Sequence, residues 1–599
     1  MRSFSLRNLL PVRLLLCLLV VTGASRAHED KTPNQPAKTN GENNSKTAPP
    51  LTEREQWLLE KVELLEQRVA ELEARDPMPS VALPAAVSAV PAPGNALATS
   101  IPSVPPTHAF TASPATLNAA PGAESAPLFS SSNAVPIGPP QDNTPAGTPA
   151  KPKYVEPFSD TDWTWLNGNA RTKDTYWGNK FFTPEIRADI NYVVNFNHPA
   201  DHTIGGSSEL FRSYEVQLEQ LGVGGDFHYD NVRARIMTQF GMYSATTPRN
   251  DPSPGHGQWD LYTAYRYVSE AYGGYHFDVL HGINVDAGIF MSYVGLFSYY
   301  NFDNWAYQPS FVSSNTPWFF NGVRVQIYPT EHLKIEPWVI NGWQSYASAN
   351  HSPGVGGQIK WTPKPWLNII SNNYAIGQDT LFVPGRRRIH TDNSIEVKYY
   401  DKPENTLDKM AFSLTGDLGC EYGGGVSCFT NKSGGPKQSF IGWMGYNRFW
   451  FHRDMFGVTV GGGQINNPGR YLVLVPPING ETALTAATNS PYFSGSPGDP
   501  FKAWDTSFTF DYMPKQYITF RWEYDYRHAN VPYWTGRGGI TPPGGNNGAP
   551  QFFACSNGAS SGQTTLAGAQ TACGGAGNVW FPDLRKNESF IDMAIMVKF

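Results

Sequence analysis

Beyond Val21 the chain has no run of 18 apolar residues. A mature protein of this kind cannot cross a bilayer with helices, which leaves a closed barrel as the only spanning structure open to it. Charge is also scarce. Asp, Glu, Lys and Arg make up 16% of the 599 residues, against roughly 25% in soluble domains. The net charge of −6 is small for this length, so no nucleic-acid or polyanion partner is implied. Sequences with catalytic or metal-binding form are few and badly placed. Gly558-Ala559-Ser560-Ser561-Gly562 has the letters of G-x-S-x-G, but it lies in a Gly/Ser-rich loop and not between a strand and a helix. His198 and His202 are four apart beside Pro199, so no helix holds them on one face, and zinc would need further ligands. No cofactor, metal or catalytic residue is expected, and the chain is not read as an enzyme.

Aromatic residues, by contrast, are abundant at 13%, while mean hydropathy is only −0.38. That combination fits strands with one apolar face. The stretch "FRWEYDYRHA" at 520–529 shows the pattern most clearly. Phe520, Trp522, Tyr524 and Tyr526 share one parity, and Arg521, Glu523, Asp525 and Arg527 the other. Period two is the strand period, so one face is aromatic and the other charged. A membrane barrel would turn the first to lipid and the second to a watery lumen.

The N-terminus reads as a secretory signal peptide over 1–27: Arg2, Arg7 and Arg13, an apolar run from Leu14 to Val21, and small residues at Ser25 and Ala27. Residues 28–50 are polar and expected to be disordered. A coiled-coil helix is expected over 51–76. Thr52 with Glu55 forms a capping box, and Leu51, Leu58, Leu65 and Leu72 recur every seven with Val62 and Val69 between the last three. A lone amphipathic helix is the alternative. Val at a with Leu at d favours two strands, so the seam does not itself argue for a trimer. Residues 77–153 form a Pro/Ala/Ser-rich linker. Four cysteines remain in the mature chain: Cys420, Cys428, Cys555 and Cys573. Three pairings are possible, and the nearest-neighbour one, 420–428 with 555–573, is expected.

From about 181 onward the alternation repeats. Ile186, Ala188, Ile190, Tyr192, Val194 and Phe196 oppose Glu185, Arg187, Asp189 and Asn191. Val232, Ala234, Ile236, Phe240 and Met242 oppose Arg233, Arg235 and Gln239, and Val323, Val325 and Ile327 oppose Arg324 and Gln326. Short turns, such as those at Asp230-Asn231 and Lys402–Thr406, alternate with long Gly/Pro-rich loops near 198–210, 244–259, 292–317, 346–353, 377–388, 419–436, 468–502 and 530–587. About sixteen strands with this short-turn, long-loop asymmetry predict an all-β, antiparallel transmembrane β-barrel over 154–599. The final segment "SFIDMAIMVKF" ends an apolar face on Phe599, which resembles the signal read by the barrel assembly machinery.

Several stretches resemble the OmpL-like β-barrel porin family of Gram-negative bacteria: "DWTWLNGNAR" (162–171), "VDAGIFMSYVGLFSYYNFDNWAYQPSFVSSNTPWFFNGVRV" (285–325), "INGWQ" (340–344), "RIHTDNSIEVKYYDKP" (388–403) and "FRWEYDYRHANVPYW" (520–534). The resemblance covers roughly 155–599 and implies a channel in the outer membrane, with lipid around it and small hydrophilic solutes passing through it. It offers no catalytic residue. By analogy with porins a homo-oligomer, a trimer, is expected, with the N-terminal extension in the periplasm. The expected function is passive diffusion; a sugar- or anion-selective channel, a rim enzyme and an adhesin using 530–587 are the alternatives. Arg187, Arg233, Arg235, Arg324, Arg386, Arg387, Arg388, Arg521, Glu523, Asp525 and Arg527 are the expected pore-lining charges. The aromatic segment 292–317, with Tyr293, Phe297, Tyr299, Tyr300 and Trp305, either folds into the lumen as a constriction or packs on neighbouring loops.

Overall fold

A computed structural model describes residues 155–599 except 249–250, 252, 254–257, 349–351, 378–384, 425, 430–436, 469–500, 538, 540–551 and 582. The expected signal peptide, polar segment and coiled-coil helix, and all of the linker, lie outside the described residues.

Sixteen strands form: β1 Phe182–Asn195, β2 Val216–Tyr229, β3 Val232–Thr238, β4 Val268–Phe277, β5 Ile283–Met291, β6 Phe319–Thr330, β7 Leu333–Ile340, β8 Gly354–Lys364, β9 Leu367–Ile376, β10 Arg387–Asp401, β11 Leu407–Tyr422, β12 Ser439–Phe451, β13 Phe456–Asn467, β14 Phe501–Lys515, β15 Ile518–Ala529 and β16 Asn587–Lys598. Each pairs with its sequence neighbours, and β16 returns to pair antiparallel with β1, Arg187 standing opposite Lys598. The sheet is therefore closed and has no open edge, as a spanning sheet requires. No helix among the described residues is long and apolar enough to cross a membrane.

The alternation seen in the sequence sets the two faces. On β15, Trp522 and Tyr524 are each 43% exposed, whereas Arg521, Glu523, Asp525 and Arg527 are at most 2% exposed. Aromatic side chains also crowd the outside near the short turns: Phe227, Tyr229, Tyr275, Phe277, Trp361 and Trp366 are exposed there. That is the girdle expected where strands pass from hydrocarbon to headgroups. The first and last strands both have their free ends at this short-turn rim, and Phe599 exchanges backbone hydrogen bonds with Ile186.

Three boundaries differ from the sequence reading. Arg387–Arg388 and residues 419–422 belong to β10 and β11, not to loops, because Glu421 on β11 faces the arginines across the pair. On β3 the strand stops at Thr238, and Met242 begins a short helical turn, Tyr243–Thr246.

Candidate functional site

A sixteen-stranded barrel is wide enough for an aqueous bore, but here long segments fold into it. The principal one is Ser292–Trp318, between β5 and β6. Its sequence supplies aromatic bulk and short hydrogen-bonding residues, and little regular structure: one 3-10 turn at Asn301–Asp303 and one helical turn at Phe311–Ser314. Tyr293, Phe297, Tyr299, Tyr300, Phe302, Trp305 and Tyr307 are all buried. The segment thus lies inside the barrel, not over neighbouring loops.

Inward-facing carboxylates hold it there. Glu523 accepts the backbone N–H groups of Tyr307 at 2.7 Å and Gln308 at 2.6 Å. Asp505 on β14 accepts the Ser310 hydroxyl at 2.8 Å and the Phe311 N–H at 3.0 Å. Asp189 on β1 accepts the Tyr307 hydroxyl at 2.9 Å and an Asn301 amide N–H at 3.0 Å. Tyr300 donates to Glu270 on β4 at 2.9 Å. Burial holds the Tyr300 and Tyr307 phenols well above their ordinary range, so both keep the proton they donate. Cations complete the frame. Arg187 pairs with Asp303 at 3.1 Å and lies 3.9 Å from the Tyr300 ring centre, and Arg521 donates to the Asn304 carbonyl at 2.7 Å. Two wall glycines allow this closeness: a Cβ on Gly356 would stand 2.0 Å from the Tyr293 hydroxyl, and one on Gly463 would stand 2.5 Å from Ser310 Oγ.

A second segment enters from the short-turn rim. Phe158 N–H donates to the Glu331 carbonyl, Asn167 N–H to Glu396, and Arg171 to the Lys515 carbonyl and the Thr519 hydroxyl. Trp163 lies under Lys360, 4.2 Å from ring centre to Nζ. The two segments meet where Trp305 N–H donates to Asn167 Oδ1 at 2.8 Å. Beside that contact a cavity of about 20 Å³ is lined by Arg171, Trp305, Arg448 and Arg521, room for about one water. A third segment, Ile204–Leu210, is gripped by Arg527, which donates to the carbonyls of Gly206 and Gly205.

The remaining charges on the inner wall are mostly paired with one another. Arg235 reaches Glu185, Asp226 and Glu270; Arg233 and Arg324 share Asp286; Arg521 and Arg448 share Asp511; Arg527 pairs with Glu588. Asp525 is buried and inward beside them. The three consecutive arginines, expected among the pore-lining charges, do not share one face. Arg386 and Arg388 are buried and bind the two oxygens of Glu421 at 3.1 and 2.6 Å. Arg387, one residue out of phase, falls on the outward parity with Ile389. Period two forbids three consecutive residues from facing one way. Cys420 bonds Cys428 and Cys555 bonds Cys573, with Cα atoms 5.1 and 5.5 Å apart, both near the long-loop rim.

Sequence reasoning missed the residues that do the holding: Asp189, Glu270, Asp505, Asn167 and Arg448. The inward parity of the four on strands was readable; the segment each one binds was not, because the partners lie far apart in sequence, 118 residues in the case of Asp189 and Tyr307.

A closed barrel, apolar and aromatic outside and charged inside, defines an outer-membrane channel protein. Residues 187–569 match the family described as "Putative beta-barrel porin-2, OmpL-like", and the chain belongs to that family. Comparison with curated proteins finds no match. Similar solved structures include the outer membrane channel DcaP of Acinetobacter baumannii, at 11% identity and a TM-score of 0.37, covering 71% of this chain and 99% of that one. An anion-selective porin from Comamonas acidovorans is 8% identical with a TM-score of 0.37, covering 70% and 99%. OprB of Pseudomonas putida is 9% identical with a TM-score of 0.35, covering 70% and 94%.

Proposed function

We propose that this channel passes small hydrophilic solutes by passive diffusion, with segment 292–317 as its constriction and the inner-wall charges setting which solutes pass. No reaction and no cofactor enter this reading. The observation that carries it is the anchoring of the segment on carboxylates of β1, β4, β14 and β15. Such a crossing divides a wide bore into narrow passages lined by charge, where fixed fields act at short range. The same anchoring favours a substrate-selective channel over a wide general one. The short-turn rim would face the periplasm, as in outer-membrane barrels generally. It would hold the N-terminal extension there and present Phe599 to the assembly machinery, and the full chain would assemble as a homo-oligomer. Planar-bilayer recordings of the purified full chain, with ion-substitution reversal potentials and a graded series of uncharged sugars, test the proposal. Small discrete conductances with a sharp sugar cut-off are expected. A protein that inserts, folds and conducts nothing would overturn it.

A further inference from the structure

One part of the inner wall has more buried acceptors than the described protein supplies donors for. It lies where β15, β16, β1 and β2 meet. A β-bulge interrupts the β1–β2 register between Asp189 and Ile190, where Asp189 stands opposite Gln220 and Ile190 opposite Leu218. The extra residue, Glu219, is thereby turned inward beside Gln220, and both are buried. Bulges re-aim side chains in this way, often at functional sites. On β16, Asp592 stands directly opposite Glu523 of β15, a like-charged cross-strand pair that is unfavourable by itself. Both carboxylates flank β1: the bulge carrying Glu219 lies opposite Asp189 and Ile190, and Asp592 stands opposite Val193.

Glu219 and Asp592 are both fully buried; no described donor reaches either oxygen of Asp592, and only the Asn191 amide approaches Glu219. The amide oxygens of Asn191 and Asn301, each 2% exposed, are also without a donor. These two amides adjoin the cluster: Asn301 donates to Asp189, and Asn191 to the Tyr307 hydroxyl that itself donates to Asp189. Against these oxygens the adjoining described side chains offer few spare donors, the Gln220 amide nitrogen and one Arg187 guanidinium nitrogen. The nearby guanidinium groups each already carry a carboxylate: Arg521 has Asp511, Arg527 has Glu588 and Arg187 has Glu185 and Asp303. Buried carboxylates in this condition call for a positive partner.

The geometry narrows what that partner is. No three His, Cys, Asp or Glu side chains among the described residues converge closely enough to hold a metal ion. The oxygens are spread over several strands, as suits donors carried on a larger molecule. Tyr243 and Tyr307 adjoin the cluster through their hydroxyls, which meet the Asn301 amide and Asp189. We propose that Glu219, Asp592, Asp189 and the Asn191 and Asn301 amides form a binding site for organic ammonium cations, such as aliphatic diamines, on the inner wall. Its place on a permeation path rests on the channel reading above; the binding itself does not.

Putrescine is the probe. Equilibrium dialysis of the folded full chain in detergent should show one saturable putrescine site per chain. The double variant Glu219→Gln/Asp592→Asn removes two charges without removing bulk, and should weaken binding at least tenfold. Glu404→Gln, an exposed turn carboxylate on β10–β11, should leave it unchanged. Each variant is first checked for the heat-modifiable migration of a folded barrel; if the double variant does not fold, the single variants Glu219→Gln and Asp592→Asn carry the comparison, each expected to weaken binding. Absence of saturable binding to the wild type, or equal affinity in the charge-removal variants, would overturn the site: the carboxylates would then be neutralised by protons alone. In bilayers, putrescine added to one side should reduce wild-type current, with the variants resistant. Saturable binding without any conductance would retain the site and reject the channel.

Discussion

Glu523 and Trp522 adjoin in sequence and face opposite media. Glu523 receives two backbone N–H groups of segment 292–317 and the Thr509 hydroxyl. Hydrogen bonds to charged groups contribute about 1.5–3 kcal/mol each, so Glu523→Ala removes much of the hold on Tyr307 and Gln308. The barrel should still assemble, because its strand ladder is untouched, while single-channel conductance and its flicker should rise. Unchanged conductance would mean that the other anchors suffice. Trp522→Arg tests the other face. It should cost about 2–4 kcal/mol if the site is near the bilayer midplane, read as a shift in urea unfolding in lipid vesicles. Glu421→Gln leaves Arg386 and Arg388 without their shared carboxylate. Two cations near the long-loop rim that have lost a balancing carboxylate should shift the reversal potential toward anions; an unmoved reversal potential would place the pair outside the ion path.

The segment that enters from the short-turn rim is an element that can be removed as a unit. It touches the crossing segment through Asn167 and Trp305, so deleting residues 155–171 should widen the passage on that side. Conductance should increase and β-sheet circular dichroism should stay the same; a loss of folded barrel would show instead that the segment is needed to close the sheet. Strands were legible in the sequence because lipid and lumen enforce a strict two-residue alternation. The Phe520–Arg527 run shows it, and it fixed facing and topology together. Arg387 follows the same rule, which counting three adjacent arginines as one cluster overlooked. The course of Ser292–Trp318 was legible only as aromatic content. Its position depends on carboxylates from four strands, and no local period records such long-range pairs. The β1–β2 bulge was hidden for the same reason: Val216–Tyr229 reads as one strand with Gly222, Gly224 and Gly225 in its middle, and only the pairing with β1 reveals the extra residue.

At the scale of the molecule, the N-terminal region and the barrel should be separable. If the heptads expected at 51–76 tie the subunits of the homo-oligomer proposed above, deletion of residues 51–76 should preserve conductance and strand-dominated circular dichroism while lowering the stability of the oligomer on native gels. Loss of all channel activity would show that the seam does more than tether. The crossing segment has a consequence beyond permeation. It leaves the wall between β5 and β6 and is fastened at Asp505 on β14, about half the ring away. A thin cylinder yields most easily by flattening into an ellipse, and a tie fixed to both walls resists that flattening most along the diameter it spans. The barrel is therefore a braced cylinder with a stiff axis and a soft one, and sideways compression by the surrounding membrane should make it bulge along the unbraced diameter.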